Sequence, residues 1–467
     1  MTNTARAGRL SLPVGVQGAT PLATASCDQH SEGREAQPPG RGAGGNAPCE
    51  VLRFFAIGCI INTTNNHKQE ASMNIPFKVD QDYIVAVRRE LHMYPELAWD
   101  LDKTSALVRR ELDKLGIEYD FEKYGRNTVV ATMGKKDADF TIGIRADMDA
   151  LPIHEAENGL PFRSKIDNQM HACGHDAHTA MLLGAAKAFK EIEDQIQCRI
   201  RLLFQPCEEN KPSGAQTMCK HGVMDDIDCI IMCHVNCVEK TGVINSCSGI
   251  TNATSCAFEI TTHGEAAHVA APHLGKDALA MGVKIYDGLQ FLISREVDPF
   301  DTCVLGVGVM ESGKTIAQVP DFCHMRGSMR CLKESTRDKM QDRIRKLVQS
   351  VCDDMGGTGE VSFASDPLPP AYNDSKMYDM FLESAQKVTD KVSVLEPSPG
   401  GEDFAYYEKH KPGLLFGLGL RNEEKGCKYP AHSPLWCIDE SGLHYGSEMF
   451  VQFVLDHMNK TKKHWEV

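Results

Sequence analysis

Thr141-Ile-Gly-Ile-Arg-Ala-Asp-Met-Asp149 reads as a buried strand that ends in two carboxylates. Thr141 to Arg145 is a short, mostly apolar run with β-branched residues, closed by charge, the pattern of a strand covered on both faces. Two other runs end in the same way. Ile200-Arg-Leu-Leu-Phe204 leads into Gln205-Pro-Cys-Glu-Glu209, and Ile230-Ile-Met-Cys233 leads into His234. In an open parallel sheet the ligand crevice lies outside the carboxyl ends of the strands, so these acids and this imidazole would converge on one site.

The flanking sequence alternates helix and strand, which gives an α/β fold. Ile84, Val87 and Leu91, then Thr104 to Leu115, and Ala177 to Ile192 read as helices. Thr128 to Met133, Cys198 to Phe204 and Cys229 to Cys233 read as strands. The middle of the chain changes character. Strand Ala257 to Thr262, helix Asp277 to Ser294, strands Thr302 to Met310 and Phe322 to Arg330, helix Glu334 to Met355 and strand Glu360 to Ala364 follow the βαββαβ order of a ferredoxin-like sandwich. After Pro369-Pro370 the alternation resumes with Tyr378 to Val388, Leu414 to Leu418 and a last helix from Gly442 to Met458. The expected layout is a catalytic domain over 73–252 and 368–467, its mixed central sheet flanked by helices. A ferredoxin-like α+β lid or dimerisation domain over 253–367 interrupts it.

Composition narrows the function classes. A chain of 467 residues, 42% hydrophobic and 24% charged, has the length for two or three globular domains. A formal charge of -14 without any marked basic run argues against nucleic acid. No apolar run approaches the ~20 residues that span a bilayer, which argues against a membrane role. The 18 cysteines are scattered through apolar segments, as at Cys229, Cys233 and Cys237, and read mostly as buried thiols of a cytoplasmic protein. Residues 1–72, rich in Gly, Pro, Ser, Thr and Ala, read as a disordered tail or a non-native extension ahead of a start at Met73. Their weak transit-peptide character keeps an organellar location open.

The densest chemistry is Met170-His-Ala-Cys-Gly-His-Asp-Ala-His-Thr179, with three histidines, a cysteine and an aspartate in ten residues. Thiolate and imidazole suit borderline metals such as zinc, and a short loop can orient two ligands together. One loop cannot complete a site.

Seven segments together resemble the M20 metallopeptidase family. They are Arg145-Ala-Asp-Met-Asp-Ala-Leu-Pro152, the loop just quoted, Phe204-Gln-Pro-Cys-Glu-Glu209, Ala267-His-Val-Ala-Ala-Pro-His273, Ser294-Arg-Glu-Val-Asp-Pro299, Gly401-Glu-Asp-Phe-Ala-Tyr406 and His432-Ser-Pro434. They occur in the family's order and are most similar to its amidohydrolase branch of aminoacylases, hippurate hydrolases and indole-acetyl-amino-acid hydrolases. The resemblance implies Cys173, His175, Glu209, His234 and His432 as ligands of two divalent metal ions. Manganese is the family's usual metal; Zn2+, Co2+ and Ni2+ stay open, since a thiolate favours softer ions.

It further implies Glu208 as the general base that takes a proton from a metal-activated water and passes it to the leaving nitrogen. His268 would hold the oxyanion, often across a homodimer interface. Gln318, where the family commonly has Asn, Arg330 and Glu402 are candidates for substrate binding, and Ala266-Ala267 stand where Gly-Gly is common. Glu402 and Asp403 open a glycine-rich loop, with substrate or loop-positioning duty expected rather than metal binding. Asp147 and Asp176 would orient the ligand segments, with His171 and His178 in supporting or capping roles. Arg145 stands where other branches carry a metal-binding histidine. The expected activity is hydrolysis of the amide bond of N-acyl amino acids. No acyl-enzyme is expected, because Cys173 is committed to metal. A dipeptidase or aminopeptidase-type activity, and a metal-binding protein without turnover, are the alternatives.

Overall fold

The computed structural model describes residues 75–464. The expected tail over 1–72, with its alternative start and targeting role, lies outside them.

The first part of the chain carries α1 (Gln81–Met93), α2 (Asp102–Leu115), β1 (Tyr119–Phe121), β2 (Val129–Gly134), β3 (Thr141–Asp147), α3 (His175–Glu191), β4 (Arg199–Gln205), α4 (Gly214–Lys220), β5 (Cys229–Lys240), β6 (Ile244–Ser246) and β7 (Gly249–Asn252). The middle carries β8 (Thr254–His263), β9 (Ala267–His268), α5 (Ala278–Glu296), β10 (Cys303–Ser312), β11 (Gln318–Val319), β12 (Phe322–Cys331), α6 (Glu334–Asp354) and β13 (Thr358–Phe363). The last part carries β14 (Ala371–Asn373), α7 (Ser375–Val388), β15 (Val392–Val394), α8 (Ala405–Glu408), β16 (Gly413–Arg421) and α9 (Leu443–His457).

Among the described residues, eight strands form one mixed sheet in the order β1-β2-β4-β3-β5-β16-β6-β15. Its centre, β4-β3-β5-β16, is parallel, so four carboxyl ends share one edge. Every residue of β3 is buried, as its apolar run requires when helices cover both faces. α3 is buried along almost its whole length and packs between the sheet, α1 and α9. Its run of alanine, leucine and methionine suits a helix with no solvent face.

Of the boundaries that differ from the sequence reading, two shape the site. The helix expected from Ala177 begins at His175, preceded by Gly174 at φ 98. A Cβ at Gly174 would stand 2.4 Å from Val235 Cγ2, so only glycine lets the loop turn this close to β5. The strand expected to stop at Cys233 runs to Lys240, because β16 continues to pair with it after β3 has left at Met232. His234 therefore lies beyond the last rung shared with β3, where the sheet divides and a crevice opens.

The second sheet has the order β10-β12-β8-β13 with all pairs antiparallel, the ferredoxin-like arrangement. Along β8, Cys256, Phe258 and Ile260 point to a core shared with α5 and α6, while Ala257 and Glu259 face out. The fold is thus α/β with a mixed sheet flanked by helices, interrupted by a ferredoxin-like unit. Among the described residues no helix is long and apolar enough to cross a membrane.

Candidate functional site

The parallel edge, the start of α3 and a loop before α9 bring all five predicted ligands together. Ligand atoms of Cys173, His175 and His234 lie within 4.8 Å of one another, as do those of Cys173, Glu209 and His432. The two triads share Cys173. Its Sγ is 3.6 Å from His234 Nε2, and His432 Nε2 is 3.1 Å from Glu209 Oε1. His234 donates from Nδ1 to the Val235 carbonyl at 2.8 Å, which leaves Nε2 unprotonated in the neutral ring and aimed at the thiol. His432 sits at φ 66, a backbone setting sparsely used outside glycine, and its N–H donates to the Ala172 carbonyl at 2.8 Å.

The charges in this cluster respond to one another. Burial pushes the Cys173 thiol up, but the neighbouring His234 and hydrogen bonds from His175, His234 and His432 outweigh it and bring it down to about 6. The hydrogen bonds that His432 donates to Cys173 and Glu209 raise it to about 10. Burial lowers His234, yet the Cys173 thiolate lifts it to about 9.

A wall of acids and one arginine stands beside the ligands. Carboxylate oxygens of Glu208, Glu402 and Asp403 lie within 4.8 Å of one another, and those of Glu208 and Glu209 within 4.8 Å of a His175 nitrogen. Arg145, fully buried, spans the wall: Nη1 reaches Asp147 at 2.7 Å, Nη2 reaches Asp403 at 2.6 Å and Glu402 at 3.1 Å, and Nε donates to Gln205 at 2.8 Å. Glu208 keeps part of its surface open to the crevice. Burial of the rest, with the carboxylates of Glu402, Asp403 and Glu209 nearby, raises it well above the usual range. Its Oε1 accepts from the Asp403 N–H at 3.4 Å. Burial likewise raises Asp403 to about 7 against the pull of Arg145.

Several residues hold this geometry. Asp147 accepts from His178 Nδ1 at 2.6 Å, and His178 Nε2 accepts from the Val235 N–H at 2.9 Å. With both nitrogens engaged, His178 buttresses the site although it lies within reach of Asp147 and His175. Asp176 accepts from Arg88 at 2.9 Å and His92 at 2.8 Å, which ties α1 to the start of α3. His171 is buried among these groups, and burial lowers it to about 3.

Two aspartates position the site: Asp149, to which the sequence reading assigns no role of its own, and Asp403, for which it expects substrate or loop-positioning duty. Asp149 accepts from the backbone N–H groups of Glu208 and Glu209 at 3.0 and 3.2 Å, and so fixes the turn that carries both acids. Asp403 gathers bonds from Arg145, Gln205, Ser213 and the Ala215 N–H. Asp149 is visible in sequence as the second strand-end acid; Asp403 is visible through its glycine-rich loop, though its partners are not.

The remaining predicted residues are placed differently. His268 and Gln318 pair with each other across β9 and β11, both exposed on the inserted unit, and neither belongs to the ligand cluster. Arg330 reaches toward the main domain: a Cβ on Gly401 would lie 3.4 Å from its Nη1. Glu402 is buried, bonded to Arg145 and to the Phe404 N–H.

The donor set fits a pair of divalent metals. Five ligands exceed what one tetrahedral ion takes, and a thiolate, three imidazoles and a carboxylate suit borderline ions. The buried His175 nitrogens lie 3.3 Å from Asp149 and 4.0 Å from Glu209 without an aligned hydrogen bond, and Glu209 Oε1 also faces His432 at 3.1 Å, so these atoms crowd a common point as ligand atoms do.

Fold and cluster together define an α/β metallohydrolase. Residues 143–456 match Peptidase family M20/M25/M40, and the chain belongs to that family. It is 37% identical to thermostable carboxypeptidase 1 of Saccharolobus solfataricus, over 81% of this chain and 96% of that protein. It is 31% identical to IAA-amino acid hydrolase ILR1-like 5 of Arabidopsis thaliana, over 89% and 99%. A dinuclear metal-binding M20 peptidase of Bacillus subtilis superposes with a TM-score of 0.71 at 29% identity, covering 80% of this chain and 97% of that one.

Proposed function

We propose that this chain hydrolyses the amide bond of N-acyl amino acids, releasing a carboxylic acid and a free amino acid. The observation that carries the reading is the position of Glu208: next to the ligand Glu209, open to the crevice, and surrounded by carboxylates that raise its proton affinity. Cys173, His175, Glu209, His234 and His432 would hold two divalent ions, with manganese favoured over zinc, cobalt or nickel. When bound, such a pair supplies Lewis-acid polarisation of the scissile carbonyl and acidifies water so that it attacks at neutral pH.

Glu208 takes the proton of the attacking water and delivers it to the leaving nitrogen. The Asp403 N–H and the Asp149 carboxylate hold Glu208 in place from side chain and backbone. Arg330, beside Gly401, grips the substrate carboxylate. Glu402, bonded to Arg145, fixes the rim of this pocket, and His268 with Gln318 meets the substrate from the inserted unit of a second copy. A homodimer is consistent with β10 as an edge strand and with Leu279, Val283 and Tyr286 exposed along α5. The fifteen described cysteines, all free, support a reducing cytoplasmic setting.

The relative named as a carboxypeptidase favours a second reading, cleavage of peptides with a free terminal carboxylate. Hippurate, N-acetyl amino acids and dipeptides assayed side by side separate the two. Glu208→Gln should keep both metals and lower turnover by about 10²–10⁴; near-normal turnover with metal retained would remove Glu208 from the mechanism.

A further inference from the structure

Outside the ligand cluster, the chain places two thiols in contact at the base of the loop that carries His432. Cys437 Sγ lies 3.2 Å from Cys427 Sγ, and a third thiol, Cys237, donates to the Cys437 carbonyl at 3.1 Å. Cys427 is buried and Cys437 partly exposed. The segment between them contains Tyr429, His432, Pro434 and Trp436. It is held by the His432 N–H on the Ala172 carbonyl at 2.8 Å and by the Ala156 N–H on the Pro434 carbonyl at 3.0 Å.

We propose that Cys427 and Cys437 form a hydroperoxide-responsive dithiol whose disulfide staples the His432 loop. The partly exposed Cys437 thiolate attacks the peroxide, its sulfur bonding to one oxygen as the O–O bond breaks; the departing oxygen takes a proton and leaves as water or alcohol. The Cys427 thiol then attacks the sulfenic sulfur. The S–S bond forms, the S–O bond breaks, and the hydroxyl leaves as water with the Cys427 proton. Two thiols are oxidised and one peroxide is reduced.

The surroundings divide the roles between the two sulfurs. The hydrogen bond with Cys427 brings Cys437 down to about 7 against burial, with Arg88 and His92 adding positive charge and Glu155 opposing them. The bond to Cys437, together with burial, pushes Cys427 up. The other close pair, Cys303 and Cys331, has sulfurs 3.5 Å apart on facing strands of the inserted sheet. There the bond with Cys331 likewise lowers Cys303, against burial and Asp301, but no proposed metal ligand lies in the span.

The consequence follows from the place of His432. Its side chain is 52% exposed, the most open of the five ligands, so it would be the first to leave a bound ion. Cross-linking the two ends of its loop removes that freedom. This consequence rests on the ligand assignment proposed above; the cross-link itself does not.

The test uses the full-length, metal-loaded protein treated with hydrogen peroxide, with peptide mapping under non-reducing conditions and timed metal release to a chelator. The expected result is a Cys427–Cys437 cross-link, reversed by dithiothreitol and absent in Cys437→Ser and Cys427→Ser. Metal release should slow by about tenfold in the cross-linked protein only, less than a free loop would give because backbone bonds already hold this one. Sulfinic acid at Cys437 without a cross-link, or cross-linking confined to Cys303–Cys331, overturns the pair. A formed cross-link with unchanged release overturns the staple. Metal stoichiometry in reduced His432→Ala reads the ligand assignment separately: if it equals that of the unsubstituted protein, the assignment fails and the cross-link stands.

Discussion

In the eight-stranded sheet Arg145, Asp147, Gln205 and the neighbouring Asp403 are sealed from water, whereas in the four-stranded sheet Glu259, Arg326 and Glu360 face it. Both sheets bury apolar side chains against helices. They differ in what else they bury. A strand covered on both faces has no solvent side for a charge, so each ionised group there must find a partner, and Arg145 answers three carboxylates at once. A strand with one open face sends its charges outward at every second residue. The larger sheet forces charges into contact; the smaller one turns them outward.

The largest expected effect breaks that contrast at its centre. Arg145→Met leaves Asp147, Glu402 and Asp403 without their buried cation and should cost about 3–5 kcal/mol, read by denaturation of the metal-free protein. A loss under about 1 kcal/mol would mean that the buried network contributes no more than a surface pair.

The second effect depends on pH. His457, on the helix that covers the large sheet, donates from Nε2 to the Met380 carbonyl at 2.9 Å, and burial lowers it to about 4 from 6.5. Its folded-state pKa lies below the unfolded one, so the unfolded chain binds more protons between those values. Its contribution is complete above pH 6.5 and lost as pH falls toward 4, roughly 3 kcal/mol in all. His457→Phe should flatten the unfolding curve in that window; an unchanged acid slope would assign the loss to other groups.

The smallest effect lies in the other sheet. Val361 on β13 is half-buried against the core of the inserted unit, and Val361→Ala should cost about 1 kcal/mol without altering metal content. Loss of metal in this variant would show that the two sheets do not behave as separately as their burial implies.

Long elements were legible because their apolar spacing repeats: Ile84, Val87 and Leu91 face the core of α1, and Met340 and Ile344 that of α6. β6 and β15, three residues each, carry no period to read, and α8, at four residues, is little better. In the site, histidine, cysteine and paired glutamates announced themselves by type. The partners of Asp149 and Asp403 did not, since an aspartate beside a backbone N–H looks in sequence like any loop acid.

The sequence alone determined the periodicity of each long element, the βαββαβ insertion and the residue types able to hold metal, because these depend on neighbours along the chain. Only the tertiary structure decided that β5 outruns β3 so that His234 faces a crevice, that Arg145 closes the acid wall, and that Cys427 meets Cys437 beneath His432. Those are contacts between distant segments, and their distances follow from how the sheet is ordered and split, which no local spacing encodes.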